Sequence, residues 1–359
     1  MTWLFALPTK YLFGMLLWLA AGGFVFWAVL KWRGRLRRKG RKTWPANLAM
    51  SIWLLLAMLT GVELYFALLF DATDSFNRSN VSQVWFRRHV DPEKRMLDLG
   101  KELLPYRDDE PFPSPVPEDR KHVCFVGDSF TFGHGVAKAS DRFSNRVRSE
   151  LAERFPGEYV VTNLSEPGTD LNWAFALVRE LVDAGIRVET LVYVFCPNDI
   201  EVYHPDHMEH VRELGELAPS CPLFRETFFL NLLYYRYKTA SLPAARDYYG
   251  YLADYYSGEP WQRMRRQFDE FAEFCRAHRI ELKVVIFPFL QDLAGDSPFD
   301  PARQIVRDYC RDRDLDVLDL YDTLHKHADE NLTVSLFDAH PNPRAHELAA
   351  EAILPFLLE

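Results

Sequence analysis

Cysteine is scarce and scattered. The five residues, Cys124, Cys196, Cys221, Cys275 and Cys310, form no CxxC pair and no Cys/His cluster at metal-ligand spacing. That excludes a disulfide-stapled scaffold and a zinc-finger type of site. Cys124 and Cys196 lie in apolar runs, where cysteine is a small buried hydrophobe; a single bridge among Cys221, Cys275 and Cys310 stays open. Acidic residues are missing from residues 1–42, which hold nine Lys or Arg, so residues 43–359 carry −18 within a net −9. An acidic body of this kind repels phosphate backbones, which excludes nucleic acid as the partner. Internal repeats and low-complexity tracts are absent too. The charged share, 26%, is that of a soluble domain, so any membrane part is local.

Two long apolar runs are present. Residues 11–30 (YLFGMLLWLAAGGFVFWAVL) carry no charge over twenty positions, enough helix to cross roughly 30 Å of hydrocarbon. Residues 47–70 form a second run whose one charge is Glu63, near its far end and read as a neutral or interface-facing residue. Between them, KWRGRLRRKGRK (31–42) packs eight positive charges into a short loop. The positive-inside bias places that loop in the cytoplasm, so residues 1–70 read as a two-helix hairpin anchor with the rest of the chain outside, periplasmic or extracellular. A cleaved signal peptide fits less well: the first run is too long, and its basic cluster follows it.

Residues 71–120 read as a stalk, with a short helix expected around 91–104 and a semi-rigid connector where Pro stands at 105, 111, 113, 115 and 117. From 121 to 359 the pattern alternates. Apolar strands are expected at 122–127, 159–164, 190–196, 282–289 and 315–320, and helices at 141–155, 172–184, 260–278, 301–313 and 343–357. Residues 201–258 are aromatic-rich and read as a mostly helical insertion. Apolar strands alternating with helices predict a parallel sheet covered on both faces, with ligands bound beyond the strands' carboxyl ends.

The polar clusters fall at those ends. CFVGDSFTFGHGV (124–136) runs a buried strand into Gly-Asp-Ser, which points the Ser129 hydroxyl into a cleft. NLSEPGTD (163–170) contains Gly168, FCPNDI (195–200) contains Asn198, and FDAHPNPRAH (337–346) contains Asp338 and His340. Taken singly, each has a duller reading. Gly-Asp-Ser and Pro167-Gly168 are turn formers, Asn198-Asp199 caps a helix, and His340 is a loop histidine. Asp128 reads as ordering the turn, and His346 as a helix-face residue.

Together, in order, the four blocks over residues 121–359 resemble the SGNH (GDSL-like) hydrolases. The resemblance implies a flavodoxin-like three-layer α/β/α domain with Ser129 as nucleophile, His340 as base and Asp338 as its partner. The oxyanion donors would be the N–H groups of Ser129 and Gly168 and the Asn198 side chain, with no metal or organic cofactor. The family's usual aspartate three before the histidine is Phe337 here, and GDSF stands for GDSL.

The expected reaction is acyl transfer through an acyl-serine. Water as acceptor makes an esterase; a sugar hydroxyl makes an O-acyltransferase. The outward location favours acylated glycans or lipids as substrate and envelope polysaccharide machinery as company. Two rivals stand beside this: a silent scaffold in an envelope assembly, and a membrane lipase or thioesterase whose insertion (Phe228, Phe229, Leu232, Tyr234, Tyr235) dips toward lipid.

Overall fold

A computed structural model gives the architecture; it describes residues 6–359 other than 207, 208, 210, 211, 214, 243–247, 292, 296 and 298, and only the backbone of 248–251. Several of these fall in the expected 201–258 insertion, whose reading there lies outside the described residues. The chain divides into two units, Met1–Arg88 with Leu217–Lys238, and His89–Glu216 with Thr239–Glu359.

In the first unit, helices Thr9–Arg38 and Trp44–Leu68 pack against one another. Each is long and apolar enough to cross a membrane. Trp53 Nε1 donates to the Gly22 carbonyl at 2.9 Å and Trp18 Nε1 to Thr60 Oγ1 at 2.9 Å. Phe13, Leu16, Leu55 and Met58 are all more than half exposed, apolar surface of the kind that marks an interaction face. Helix Asn80–His89 follows, and helix Pro222–Glu226 and all but the last three residues of helix Phe229–Ser241 lie in the segment that returns to this unit.

The second unit opens with an antiparallel hairpin, β1 (Lys94–Asp98) and β2 (Leu103–Arg107). This corrects the short helix expected at 91–104. Leu97 is buried and its neighbours Met96 and Asp98 are exposed, the two-residue period of a strand. Gly100 makes the turn at φ +80°, a left-handed backbone that suits glycine. The boundary also differs from the stalk reading of 71–120, since the division falls after Arg88.

Five parallel strands then form the sheet: β3 (Lys121–Gly127), β4 (Tyr159–Asn163), β5 (Thr190–Phe195), β6 (Glu281–Ile286) and β7 (Asp316–Asp319), in the order β4-β3-β5-β6-β7. Along β3, Val123 and Phe125 face one core, and Cys124 and Val126 the other. Helices Phe143–Arg154 and Pro343–Leu358 cover the first face. Helices Leu171–Asp183, Glu259–Ala277 and Asp300–Arg311 cover the second. The result is the three-layer, flavodoxin-like arrangement, with the chain reversing direction across the sheet between β3 and β5, where such folds open a crevice. A small hairpin, β8 (Thr333–Ser335) and β9 (Asp338–Pro341), precedes the last helix. All five cysteines are free thiols, with Cys221 alone exposed.

Candidate active site

Gly127 ends β3 in a space that admits no side chain: a Cβ there would lie 2.8 Å from the Val194 carbonyl and 2.4 Å from Thr131 Oγ1. The chain must turn at once. Asp128 caps the short helix Ser129–Phe132, its Oδ1 accepting the Phe130 N–H at 2.9 Å. Its Oδ2 accepts from Asn198 Nδ2 at 3.2 Å, which joins the end of β3 to the end of β5. Burial first of all pushes the Asp128 carboxyl up, against the pull of these donors.

Ser129 follows at the mouth, half-buried. His340 Nε2 stands 2.8 Å from Ser129 Oγ, and His340 Nδ1 stands 2.6 Å from Asp338 Oδ1. The same Oδ1 accepts the His340 backbone N–H at 3.0 Å. Asp338 and His340 are two apart on β9, and alternate residues of a strand share a face. The two-residue spacing therefore serves as well as the three-residue one. Burial raises the cost of ionising Asp338, but the His340 and His134 rings overcome it and hold the carboxyl well below the usual carboxylate range.

His134 is the residue that sequence reasoning missed. Its ring stacks on His340, with centroids 4.2 Å apart and planes 25° apart, and its Nε2 lies 3.4 Å from Asp338 Oδ2. Asp338 thus stands between two imidazoles. Gly133 (φ +76°) and Gly135 (φ +79°) bend the loop around His134. Two buried arginines clamp it: Arg107 donates to the Gly133 and Val136 carbonyls at 3.1 and 2.7 Å, and Arg142 to the Phe132 carbonyl at 3.2 Å. Burial pushes the Arg142 guanidinium down to about 10, and Glu93 pairs with Arg107 at 2.8 Å. The only hint in the sequence was the Gly-His-Gly run itself.

His134, Asp338 and His340 also form a set of metal-ligand types whose atoms lie within 4.8 Å. An ion held by His340 would have to displace either its 2.6 Å bond to Asp338 or its 2.8 Å bond to Ser129. The set as built is a hydrogen-bonded relay, and a metal cage would dismantle it.

Gly168 lies in the loop after β4, exposed, at φ +76° with nothing near its Cβ position; the sign of φ, not space, calls for glycine. Its loop is tied to the end of β3, since Thr169 Oγ1 donates to the Gly127 carbonyl at 3.2 Å and the Glu166 N–H to the same carbonyl at 3.4 Å. Asn198 begins the turn after β5, and its neighbour Asp199 is buried, accepting from Tyr193 Oη at 2.5 Å and from the Cys196 N–H at 3.3 Å. Burial, then the nearby Asp128, pushes the Asp199 carboxyl well up. Ser129, His340 and Asp338 are joined by direct bonds; Asn198 reaches Asp128, the residue before Ser129, and the residue after Gly168 reaches the Gly127 carbonyl.

Solved structures with similar chains include TesA (14% identity, 66% of this chain and 98% of that chain, TM-score 0.42). A member of the lipolytic protein G-D-S-L family from Veillonella parvula matches at 14% identity (66% and 97%, TM-score 0.39). A catalytic mutant of Axe2, an acetylxylan esterase from Geobacillus stearothermophilus, matches at 12% (66% and 94%, TM-score 0.41). No curated protein matches this chain. The family model described as GDSL-like Lipase/Acylhydrolase matches residues 125–348, from β3 past the His340 block. Because that match takes in more than half of its length, the chain belongs to the GDSL-like lipase/acylhydrolase family.

Proposed function

We propose that this protein is a membrane-anchored serine acyl-transfer enzyme, an esterase or O-acyltransferase acting on ester-linked acyl groups of cell-surface glycans. The observation that carries the chemistry is the unbroken chain Asp338–His340–Ser129. A serine hydroxyl becomes nucleophilic when an imidazole takes its proton. His340 Nε2 accepts that proton as Ser129 Oγ attacks the ester carbonyl, and Asp338 stabilises the imidazolium that forms. His134 is a positioning residue: it holds the second oxygen of Asp338 and lies flat against His340.

The carbonyl oxygen becomes an oxyanion and needs donors already in place. These are the N–H groups of Ser129 and Gly168 and the Asn198 amide. Asp128 holds one N–H of that amide, which orients the other. His340 then returns its proton to the departing alkoxide, leaving acyl-Ser129. Water or a sugar hydroxyl, deprotonated by the same ring, resolves it. The intact triad geometry speaks against a silent scaffold.

The glycan assignment rests on topology: eight positive charges in residues 31–42 favour a cytoplasmic loop, which supports an outward catalytic domain. A lipid or thioester substrate is the second reading, favoured by Phe228 and Phe229, which pack on Tyr11 and Phe66 of the two apolar helices. The test is a screen of the purified full chain against acetylated glycans and nitrophenyl esters of graded chain length, with Ser129→Ala as blank. Turnover of acetyl esters that vanishes in the blank supports the proposal. A preference for long acyl chains moves it to the lipid reading, and activity surviving in the blank removes Ser129.

A further inference from the structure

Glu63 is buried inside an apolar helix, where a carboxylate is costly unless it finds partners. Its partners come from 165 residues away. Glu63 Oε1 accepts the Phe228 N–H at 2.7 Å, and Oε2 accepts the Phe229 N–H at 2.9 Å, at the entry to helix Phe229–Ser241. The positive end of that helix dipole faces the carboxyl group. Glu63 is thus not an interface-facing residue: it is a cap for a distant helix.

The depth of this contact is informative. Glu63 lies five residues before the end of helix Trp44–Leu68, roughly 8 Å down the helix axis at about 1.5 Å per residue. Phe228 descends to that level, 1% exposed, with its ring 4.7 Å from that of Tyr11. Phe229 meets Phe66 at 5.1 Å. Closer to the helix ends, Lys10 pairs with Glu226 at 2.9 Å in an exposed bridge. Asn80 donates to the Arg225 and Thr227 carbonyls at 2.8 and 2.7 Å. The segment therefore enters the hairpin from its open end and stops below its rim.

Its other face is uncovered. Leu223, Leu233 and Tyr237 are 57%, 42% and 72% exposed, with Arg236 and Lys238 beside them. Apolar and aromatic side chains flanked by basic ones, next to helices whose own apolar surface faces outward, match the boundary between headgroups and acyl chains. We infer that Leu217–Lys238 is a second membrane-binding element, with helix Phe229–Ser241 seated at the headgroup–acyl boundary of the outer leaflet and Glu63 as its latch. This rests on the anchor reading of the two apolar helices. The chain leaves the α/β unit and returns to it through this element, so the membrane holds the protein at two sites far apart in sequence.

The test uses the full chain with Cys221→Ser, reconstituted in phosphatidylcholine/phosphatidylglycerol vesicles. The fluorophore NBD is attached to one introduced cysteine, Leu233→Cys or Leu55→Cys. Lipids brominated in the upper acyl chain should quench the probe at 233 to a degree comparable with the one at 55. Glu63→Ala should release 233 from quenching while 55 stays quenched, and Glu63→Gln, which keeps one acceptor oxygen, should release it less. Quenching at 55 without quenching at 233 overturns the inference and leaves the anchor standing. A probe at 233 shielded from aqueous iodide yet untouched by brominated lipid also overturns it, in favour of a protein partner. If neither 233 nor 55 is quenched, the anchor reading fails and this inference falls with it.

Discussion

His340 and His346 stand six positions apart, one on the strand β9 and one in the helix that follows, and both are buried. Their surroundings differ in kind. His340 has a partner at each nitrogen, a carboxylate at 2.6 Å and a hydroxyl at 2.8 Å, so a proton that arrives is stabilised on one side and can leave on the other. His346 is sealed. Its Nδ1 accepts the Phe143 N–H at 3.3 Å, its ring stacks on Phe143, and no described residue partners its Nε2. Burial, then the charges of Arg142 and Arg146, pushes the His346 imidazole down to about 3. Burial alone does not suit a histidine to proton transfer; a carboxylate behind it and a hydroxyl in front of it do.

The sharpest way to break the contrast is to remove the first ring. His340→Ala and Ser129→Ala should each lower turnover on a verified ester by about 10⁶-fold, since members of such a unit fail together. Asp338→Asn should cost on the order of 10⁴-fold, because the ring remains but its tautomer is no longer held. Steady-state rates with folding checked by circular dichroism settle both.

Asn198→Ala comes next, with turnover down about 10²- to 10³-fold and the fold intact. Asp199→Ala should reverse that balance. It strips the Tyr193 hydroxyl and the Cys196 N–H of their acceptor, at a cost of about 1–3 kcal/mol per buried group left unsatisfied. Melting temperature and turnover measured on both variants separate donor from scaffold; equal thermal losses with equal activity losses would contradict the division.

His134→Phe keeps an aromatic ring against His340 and removes the bond to Asp338. Turnover should fall about tenfold, the worth of one charge-assisted hydrogen bond. The acid limb of the kcat/KM profile should move to higher pH, because an Asp338 freed from one donor holds the His340 imidazolium more strongly. A merely structural role would leave that limb in place.

His346→Gln should change turnover least, by about twofold or less, the scale of a silent site. Its effect is on stability against pH. The folded pKa lies below the unfolded one near 6.5, so the unfolded state binds the extra proton between about pH 3 and 6.5 and stability is lost as pH falls through that window. The group should account for roughly 3 kcal/mol of loss between about pH 7 and 4, which the Gln variant should lack. Urea titrations at both pH values give the difference directly.

What was legible in the sequence follows from local physics. A strand buried on both faces must be an apolar run, and the chain must turn sharply where it ends, so Ser129, Gly168 and Asn198 were marked by position as well as by type; His340, on the small hairpin strand β9 and not at the end of a sheet strand, was marked by its motif alone. His134 was not, because its place depends on two left-handed glycines and on Arg107, which reaches the loop from a hairpin 26 residues earlier. That hairpin was itself misread as helix. Its two-residue period spans only five positions per strand, too few to stand out among polar neighbours. Glu63 was visible as an acid in an apolar run, but its meaning lies in two N–H groups at positions 228 and 229. Contacts that close over such separations leave no mark in the local pattern.

The central claim is that Ser129 is activated by His340, and fluorophosphonate labelling tests it most directly. The probe needs a serine whose proton can be removed and whose developing charge is stabilised, so it reports the whole constellation. The wild-type chain should be labelled once, at Ser129, with His340→Ala and Ser129→Ala both nearly dark and Asp338→Asn faint. Strong labelling of Ser129 in the folded His340→Ala variant would contradict the assignment, because the serine would then be reactive without its base.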